Sequence, residues 1–323
     1  MSRPNTKTVI TVGEVLIDFF CTDVEKSLRE GTHFLKQAGG APANVSVVIS
    51  MLGGASAIVG KVGADPFGDF LRQTLADRRV NTSMLVRDQH ASTTLAFVSL
   101  KADGERDFVF HRGADQFLRD EDLHFDQLDK AKILHFGSAT ALLSDPLRKT
   151  YLKVMRKARQ KRIFTSFDPN YRRDLWSGRT DEFIAQVRQA LPYADFVKVS
   201  AEELQIVTGG NSNREDALKT LHEQGVKLVV VTLGKDGSLF SNGLKIKHVP
   251  SINVQSIDST GAGDAFVGAV LYRLSQLDDP ETVIGNEQQL EEIVSFANRI
   301  GARVCTQVGA ITAFSADSFL TDS

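Results

Sequence analysis

Short runs of Val, Ile and Phe recur along this chain, separated by longer stretches with helical spacing of apolar residues. Expected strands lie at residues 9–12, 57–62, 133–136, 163–167, 196–199 and 228–233, and expected helices at 43–52, 67–79, 146–161, 181–191 and 214–224. A near-continuous apolar strand must be covered on both faces. Helices between successive strands return the chain so that the strands pair in parallel. The pattern therefore predicts an α/β fold built on a doubly wound, mostly parallel sheet. Pro146 at a first helical position and Gly225 just past a helix act as start and stop signals.

Two regions depart from this rhythm. Residues 93–100 alternate in strand fashion, a turn follows at Lys101-Ala-Asp-Gly104, and a second strand is expected at 107–111. Residues 19–37 form an excursion between the first strand and the first long helix. Together they predict a small β-sheet lid of the kind that shields a reactive ligand from water. A surface hairpin without a gating role fits the same residues. With no internal repeat or low-complexity linker, residues 1–323 read as one domain, with the lid at about 19–37 and 93–112 inserted in it.

Composition narrows the function classes. A net charge of −2 leaves no electrostatic footprint for nucleic acid or for a membrane surface. The basic cluster at Arg156-Lys157 and 159–162 is short and reads as the solvated face of a helix. Cys21 and Cys305 rule out a disulfide framework and suit a reducing cytosol, and neither sits in a catalytic motif. The polar start, residues 1–7, carries no leader signal, and no apolar run approaches the ~20 residues of a membrane span. The expected location is cytoplasmic. The seven histidines lack metal-ligand spacing, so His111 and His135 read as ordinary residues.

The chemistry concentrates at the ends of the expected strands. Asp258-Ser-Thr-Gly-Ala-Gly-Asp264 is a glycine-rich turn running into a small, apolar, helix-like segment. The N–H groups of Gly261, Ala262 and Gly263 would converge where the helix dipole favours an anion. Asp264, in the first turn, would repel that anion unless it takes a proton from an attacking hydroxyl. The pairing points to phosphoryl transfer onto a small hydroxylated molecule.

Gly39-Gly40-Ala-Pro-Ala-Asn44 allows close backbone approach and brings an amide to a helix start, which suits sugar hydroxyls; a glycine turn capped by Asn44 fits equally. Asp18, after the first strand, could accept two hydroxyls or simply cap a turn. Thr232-Leu-Gly234-Lys-Asp-Gly237 could let a nucleotide lie against backbone, as could a plain turn. Asp168-Pro-Asn170-Tyr-Arg172-Arg173 offers an amide and guanidinium groups at another strand end. Neither a Walker A loop nor a dinucleotide fingerprint is present.

Taken together, these motifs resemble those of the ribokinase-like (PfkB) carbohydrate kinases, and within them the chain is most similar to bacterial fructokinases. The resemblance spans nearly the whole chain, through Gly13–Asp18, Gly39–Asn44, Gly63-Ala-Asp65-Pro-Phe-Gly68, Asp168–Arg172, Asp258–Asp264 and Gly309-Ala310. It implies transfer of the γ-phosphoryl of ATP to a sugar hydroxyl. Asp264 would be the base and the 261–263 amides the anion hole. The sugar would be held by Asp18, Gly39, Gly40 and Asn44, with Arg112, Asn170 and Arg172 nearby. Ser200, Glu203, Thr232, Gly234, Gly237 and Asn298 fall at nucleotide positions, and Glu203 would organise Mg²⁺ through water. An activating K⁺ would sit among backbone oxygens near Asp258, Thr260, Val304, Gln307 and Gly309. The family also implies pairing of two copies through their lids.

Three departures stand out. The family's Asn-x-x-Glu reads Ser200-Ala-Glu-Glu203, Ala313 replaces a frequent hydroxyl, and an Arg-to-Ala-Asp spacing is compressed to Arg112-Gly-Ala-Asp115. The last touches the sugar end. Fructose is the expected acceptor, with ribose, an aminoimidazole riboside and 2-keto-3-deoxygluconate as alternatives. A catalytically silent sugar-binding protein is a further one.

Overall fold

The computed structural model describes residues 7–100, 106–307 and 309. Its strands are β1 (Val9–Val12), β2 (Leu16–Cys21), β3 (Phe34–Gly39), β4 (Ser56–Gly63), β5 (Leu85–Asp88), β6 (Leu95–Leu100), β7 (Arg106–His111), β8 (Ile133–Phe136), β9 (Phe164–Phe167), β10 (Phe196–Ser200), β11 (Leu228–Thr232), β12 (Ser238–Ser241) and β13 (Ile246–Val249). The main sheet runs β13-β12-β11-β10-β9-β8-β1-β4-β5. From β5 across to β11 the pairings are parallel; β12 and β13 add an antiparallel edge.

Strand alternation explains the double covering. Along β11, Leu228 and Val230 enter one core cluster while Val229 and Val231 enter the other. The first cluster lies under helices Ala41–Met51, Ala262–Ser275 and Glu287–Val304; the second lies under Leu147–Gln160, Thr180–Ala190 and Arg214–Glu223. The fold is α/β and mostly parallel, as the apolar runs predict.

The small sheet has the order β3-β2-β6-β7. The two excursions are each antiparallel, and β2 and β6 pair in parallel to join them. On the side turned from the cleft, Phe19 stacks on Phe97 at 5.1 Å and meets Phe67 edge-on at 5.8 Å. That aromatic contact seats the small sheet against helix Pro66–Asp77.

Several boundaries differ from the sequence reading. Asp18 is not in a loop after the first strand but inside β2, which begins at Leu16. Strand β6 starts at Leu95 because Thr93 and Thr94 are committed as side-chain anchors. Thr93 bonds Asp65 and Gly63, and Thr94 bonds Asp115 and Gly113. Helix Leu147–Gln160 opens one residue after Pro146, which takes the capping position instead. Gly225 does follow its helix, with φ at 98°. The expected Lys101-Ala-Asp-Gly104 turn lies outside the described residues, as do Ala310 and Ala313.

Candidate active site

Gly261 adopts a left-handed backbone (φ 76°) that turns the chain into helix Ala262–Ser275, placing Asp264 in its first turn. Gly261 and Gly263 line a cleft of about 500 Å³ between the two sheets, and the Ala262 N–H turns back onto the Ser259 carbonyl at 3.2 Å. Asp264 is half-buried, and its Oδ2 accepts a 2.7 Å hydrogen bond from Nδ2 of Asn44. Burial lifts its pKa from 3.8 to about 6, against the opposing pull of Asn44 and of the Arg172 charge. A carboxylate poised there is mostly ionised at neutral pH yet basic enough to accept a proton.

Asp18 approaches the same space from β2. Burial raises its pKa to about 7; Arg172 opposes that rise, while Glu14 and Asp264 add to it. Its carboxylate lies against the α-carbon of Gly39: a Cβ there would stand 1.9 Å from Oδ2. Gly40, with φ at 105°, has the Glu14 carbonyl 2.4 Å from a would-be Cβ, also too close for a side chain. Both glycines are therefore required for Asp18 and helix Ala41–Met51 to meet. Asn44 lines the cleft, and its Oδ1 is buried with no hydrogen-bond partner among the described residues. Phe20, Val98, Phe108 and Phe110 of the small sheet add an apolar wall.

The Asp168–Arg172 turn is held internally. Asn170 (φ 49°) donates its backbone N–H to Asp168 Oδ1 at 3.0 Å and its side-chain amide to the Gly137 carbonyl at 2.9 Å. Arg172 lines the cleft and lies near both Asp18 and Asp264. Arg112 is placed elsewhere, clamped at 2.9 Å each to Asp115 and to Ser144 Oγ. Asp115 also accepts from Thr94 and Thr140, and Thr140 leads on to buried Glu14. The compressed Arg112–Asp115 loop thus builds an internal polar network at the base of β7.

At the other end of the cleft, Ser200 caps helix Ala201–Val207 in a reciprocal pair with Glu203. Ser200 Oγ accepts the Glu203 N–H at 3.1 Å, and Glu203 Oε2 accepts the Ser200 N–H at 2.7 Å. Glu203 Oε1 takes the Tyr171 N–H at 2.7 Å. Each oxygen accepts one of these bonds and has capacity for another, and Glu203 lines the cleft. Thr232 and Gly234 border a shallow depression beside Ser200, together with His248. Gly237 (φ 89°) packs under the Val249 carbonyl, 2.3 Å from a would-be Cβ. Asn298 is buried; its amide donates to the Val249 and Pro250 carbonyls and accepts from Ser238. Behind the helix start, Asp258 holds Thr260 through its N–H and Oγ1 and reaches the Gly309 N–H at 2.9 Å. Its oxygens are engaged by donors of the chain, its own N–H donates to the Cys305 carbonyl at 3.2 Å, and the neighbouring Val304 carbonyl accepts the Gln307 N–H at 3.2 Å. Among the described residues, no three His, Cys, Asp or Glu side chains converge as a metal cluster.

Sequence reasoning passed over Lys198. It lies buried in β10, bonds Asp168 Oδ2 at 3.0 Å and lines the cleft. A lysine inside Phe196-Val-Lys-Val-Ser200 was the available signal, because a strand covered on both faces tolerates a charge only with a partner. His135 is buried beside it. Burial first, then the Lys198 charge, lower its pKa to about 3, so it is a neutral core residue.

Residues 6–317 match the pfkB family of carbohydrate kinases. The chain belongs to this family. Among pfkB relatives, fructokinase-1 of Zea mays is 43% identical over 305 residues, covering 94% of this chain and 93% of that protein. Fructokinase of Xylella fastidiosa with bound ATP superposes with a TM-score of 0.88 at 34% identity, covering 98% of each chain. A doubly substituted fructokinase of Vibrio cholerae O395 in fructose, ADP and potassium ion bound form superposes at 0.83 with 37% identity, covering 96% of each. The pfkB architecture thus accounts for both sheets and for the cleft between them.

Proposed function

We propose that this chain is an ATP-dependent fructokinase that converts D-fructose to D-fructose 6-phosphate. The observation that carries the reading is half-buried Asp264, set in the first helical turn beside the Gly261 and Gly263 amides and steadied by Asn44. Asp18 and Asn44, which line the cleft, hold sugar hydroxyls. As the primary hydroxyl oxygen forms its bond to the γ-phosphorus, its proton passes to Asp264, and the bond to the ADP oxygen breaks. The amides at the helix start receive the charge on the equatorial oxygens, so that positioning and electrostatics supply most of the acceleration. Mg²⁺ carried on the nucleotide would neutralise the phosphates, with Glu203 holding its water through its remaining acceptor capacity. K⁺ would occupy the carbonyls behind Asp258 and Thr260. Thr232, Gly234 and Gly237 would bed the nucleotide, and Asn298 would fix the backbone beside the base.

The small sheet acts as a lid in this reading, closing Phe20, Phe108 and Phe110 over the sugar, and its edge is where two copies would pair. No described helix is long and apolar enough to cross a membrane, and a cytoplasmic sugar kinase is the reading we adopt. A sugar acid as acceptor would need a spare cation. Arg112 is tied to Asp115 outside the cleft, and Arg172 faces two carboxylates, which favours a neutral ketose. The test is ATP-dependent phosphorylation of fructose, ribose, an aminoimidazole riboside and 2-keto-3-deoxygluconate, with and without K⁺. A kcat/KM preference for fructose is expected; preference for another acceptor would overturn the substrate while leaving phosphoryl transfer in place.

A further inference from the structure

The cleft must accept a polyanion while holding several carboxylates. Asp18, Asp168, Asp174, Glu202, Glu203 and Asp264 all lie in or against it. Arg172 answers the charges of Asp18 and Asp264. Lys198 is the other cation of its lining. Its side chain is one-tenth exposed, and its hydrogen-bond acceptor among the described residues is Asp168, leaving two of three N–H donors for other use. Burial opposes its charge, but Asp168 and Glu203 outweigh burial and keep it protonated. Its position is specific. A Cβ on Gly263 would stand 3.2 Å from Nζ, so the missing side chain there leaves Lys198 open to the helix start.

We propose that Lys198 is a catalytic residue, donating from its ammonium to an oxygen of the transferred γ-phosphoryl group beside the Gly263 amide. The inference rests on the kinase reading above. Asp168 aims the ammonium and balances it before the nucleotide enters. No bond or proton changes hands at Lys198. Its contribution is charge placed where the equatorial oxygens become more negative, in a site poor in water. Gly263 matters for the same reason, because any larger residue would stand between the cation and the anion hole.

The test compares two probes, ADP and the β,γ-imido analogue of ATP, by calorimetry with Mg²⁺, alongside turnover. Lys198→Met should weaken the imido analogue about tenfold or more while leaving ADP and fructose binding near wild type. Turnover should fall about 10²–10³-fold. Equal weakening of both nucleotides would overturn the proposal. Because the single variant strands buried Asp168, the double variant Lys198→Met with Asp168→Asn serves as a folding control. It should regain thermal stability without regaining turnover or preference for the imido analogue; recovered turnover would show that the lysine is only structural. Should the wild type phosphorylate no sugar, the proposed function fails by itself, and the two-nucleotide comparison still decides the role of Lys198.

Discussion

The two ends of the cleft are built differently. At the end proposed for the sugar, Asn44 is buried, Asp18 and Asp264 are half-buried with raised pKa values, and Gly39 and Gly40 leave no room for a methyl group. At the end proposed for the nucleotide, Ser200, Glu203 and Asn298 bond mainly to backbone, and Gly234 has no neighbouring atom within 4 Å of a would-be Cβ. One end is preformed, with carboxylates held at a cost in desolvation. The other is an open shelf whose side chains shape the backbone. Selectivity for the acceptor should therefore reside in packing, and tolerance to change should be greater toward the nucleotide.

Asp264→Asn is the strongest test of this contrast. Turnover should drop about 10²–10⁴-fold while fructose affinity, measured by calorimetry, changes little; near-normal turnover would remove Asp264 as the base. Next comes a matched pair of glycine replacements. Gly39→Ala forces Asp18 aside and should raise the fructose KM about 10–100-fold. Gly234→Ala, at φ 62° in open space, should cost about 1–2 kcal/mol of stability and leave turnover close to wild type. Equal effects of the two would erase the distinction between the ends.

The pH response sharpens it further. Asp18 and Asp264 have pKa values raised to about 7 and about 6, so the folded chain keeps protons there that the unfolded chain has already released above about pH 4. Stability from these sites is present below the unfolded values and falls as pH rises to about 7. Activity moves the opposite way, because the base must be ionised, and kcat/KM should fall below about pH 6. Asp18→Asn should raise Tm at about pH 8 while costing activity; a variant no more stable than wild type there would contradict the desolvation account. The smallest effect belongs to Ser200→Ala, which removes a helix cap worth about 1 kcal/mol, read as a modest fall in Tm.

Legibility followed the same division. The central strands β1 and β8 were readable to the residue because burial on both faces leaves mostly apolar side chains there, three of four in each strand. Strands β5, β12 and β13, at or next to the ends of the sheet, escaped, since strands of only four residues carry little pattern. Asp264, Asn44 and the glycines were visible as motifs, as local turn geometry is written in consecutive residues. The Lys198–Asp168 pair was not, because thirty residues separate its members and only the adjacency of β9 and β10 unites them. Arg112 could be found as a charged residue, but its burial against Asp115 and Ser144 depends on three elements meeting.

The small sheet joins β2–β3 to β6–β7 through one parallel pairing, with helix Ala41–Met51, β4 and β5 lying between the two halves in sequence. Inheritance of this sheet is consequently indivisible. A chimaera with its single junction anywhere between β3 and β6 would take each half from a different parent, along with one row of side chains above the sugar from each. Exchanging acceptor preference between two such enzymes therefore calls for paired grafts, moved together.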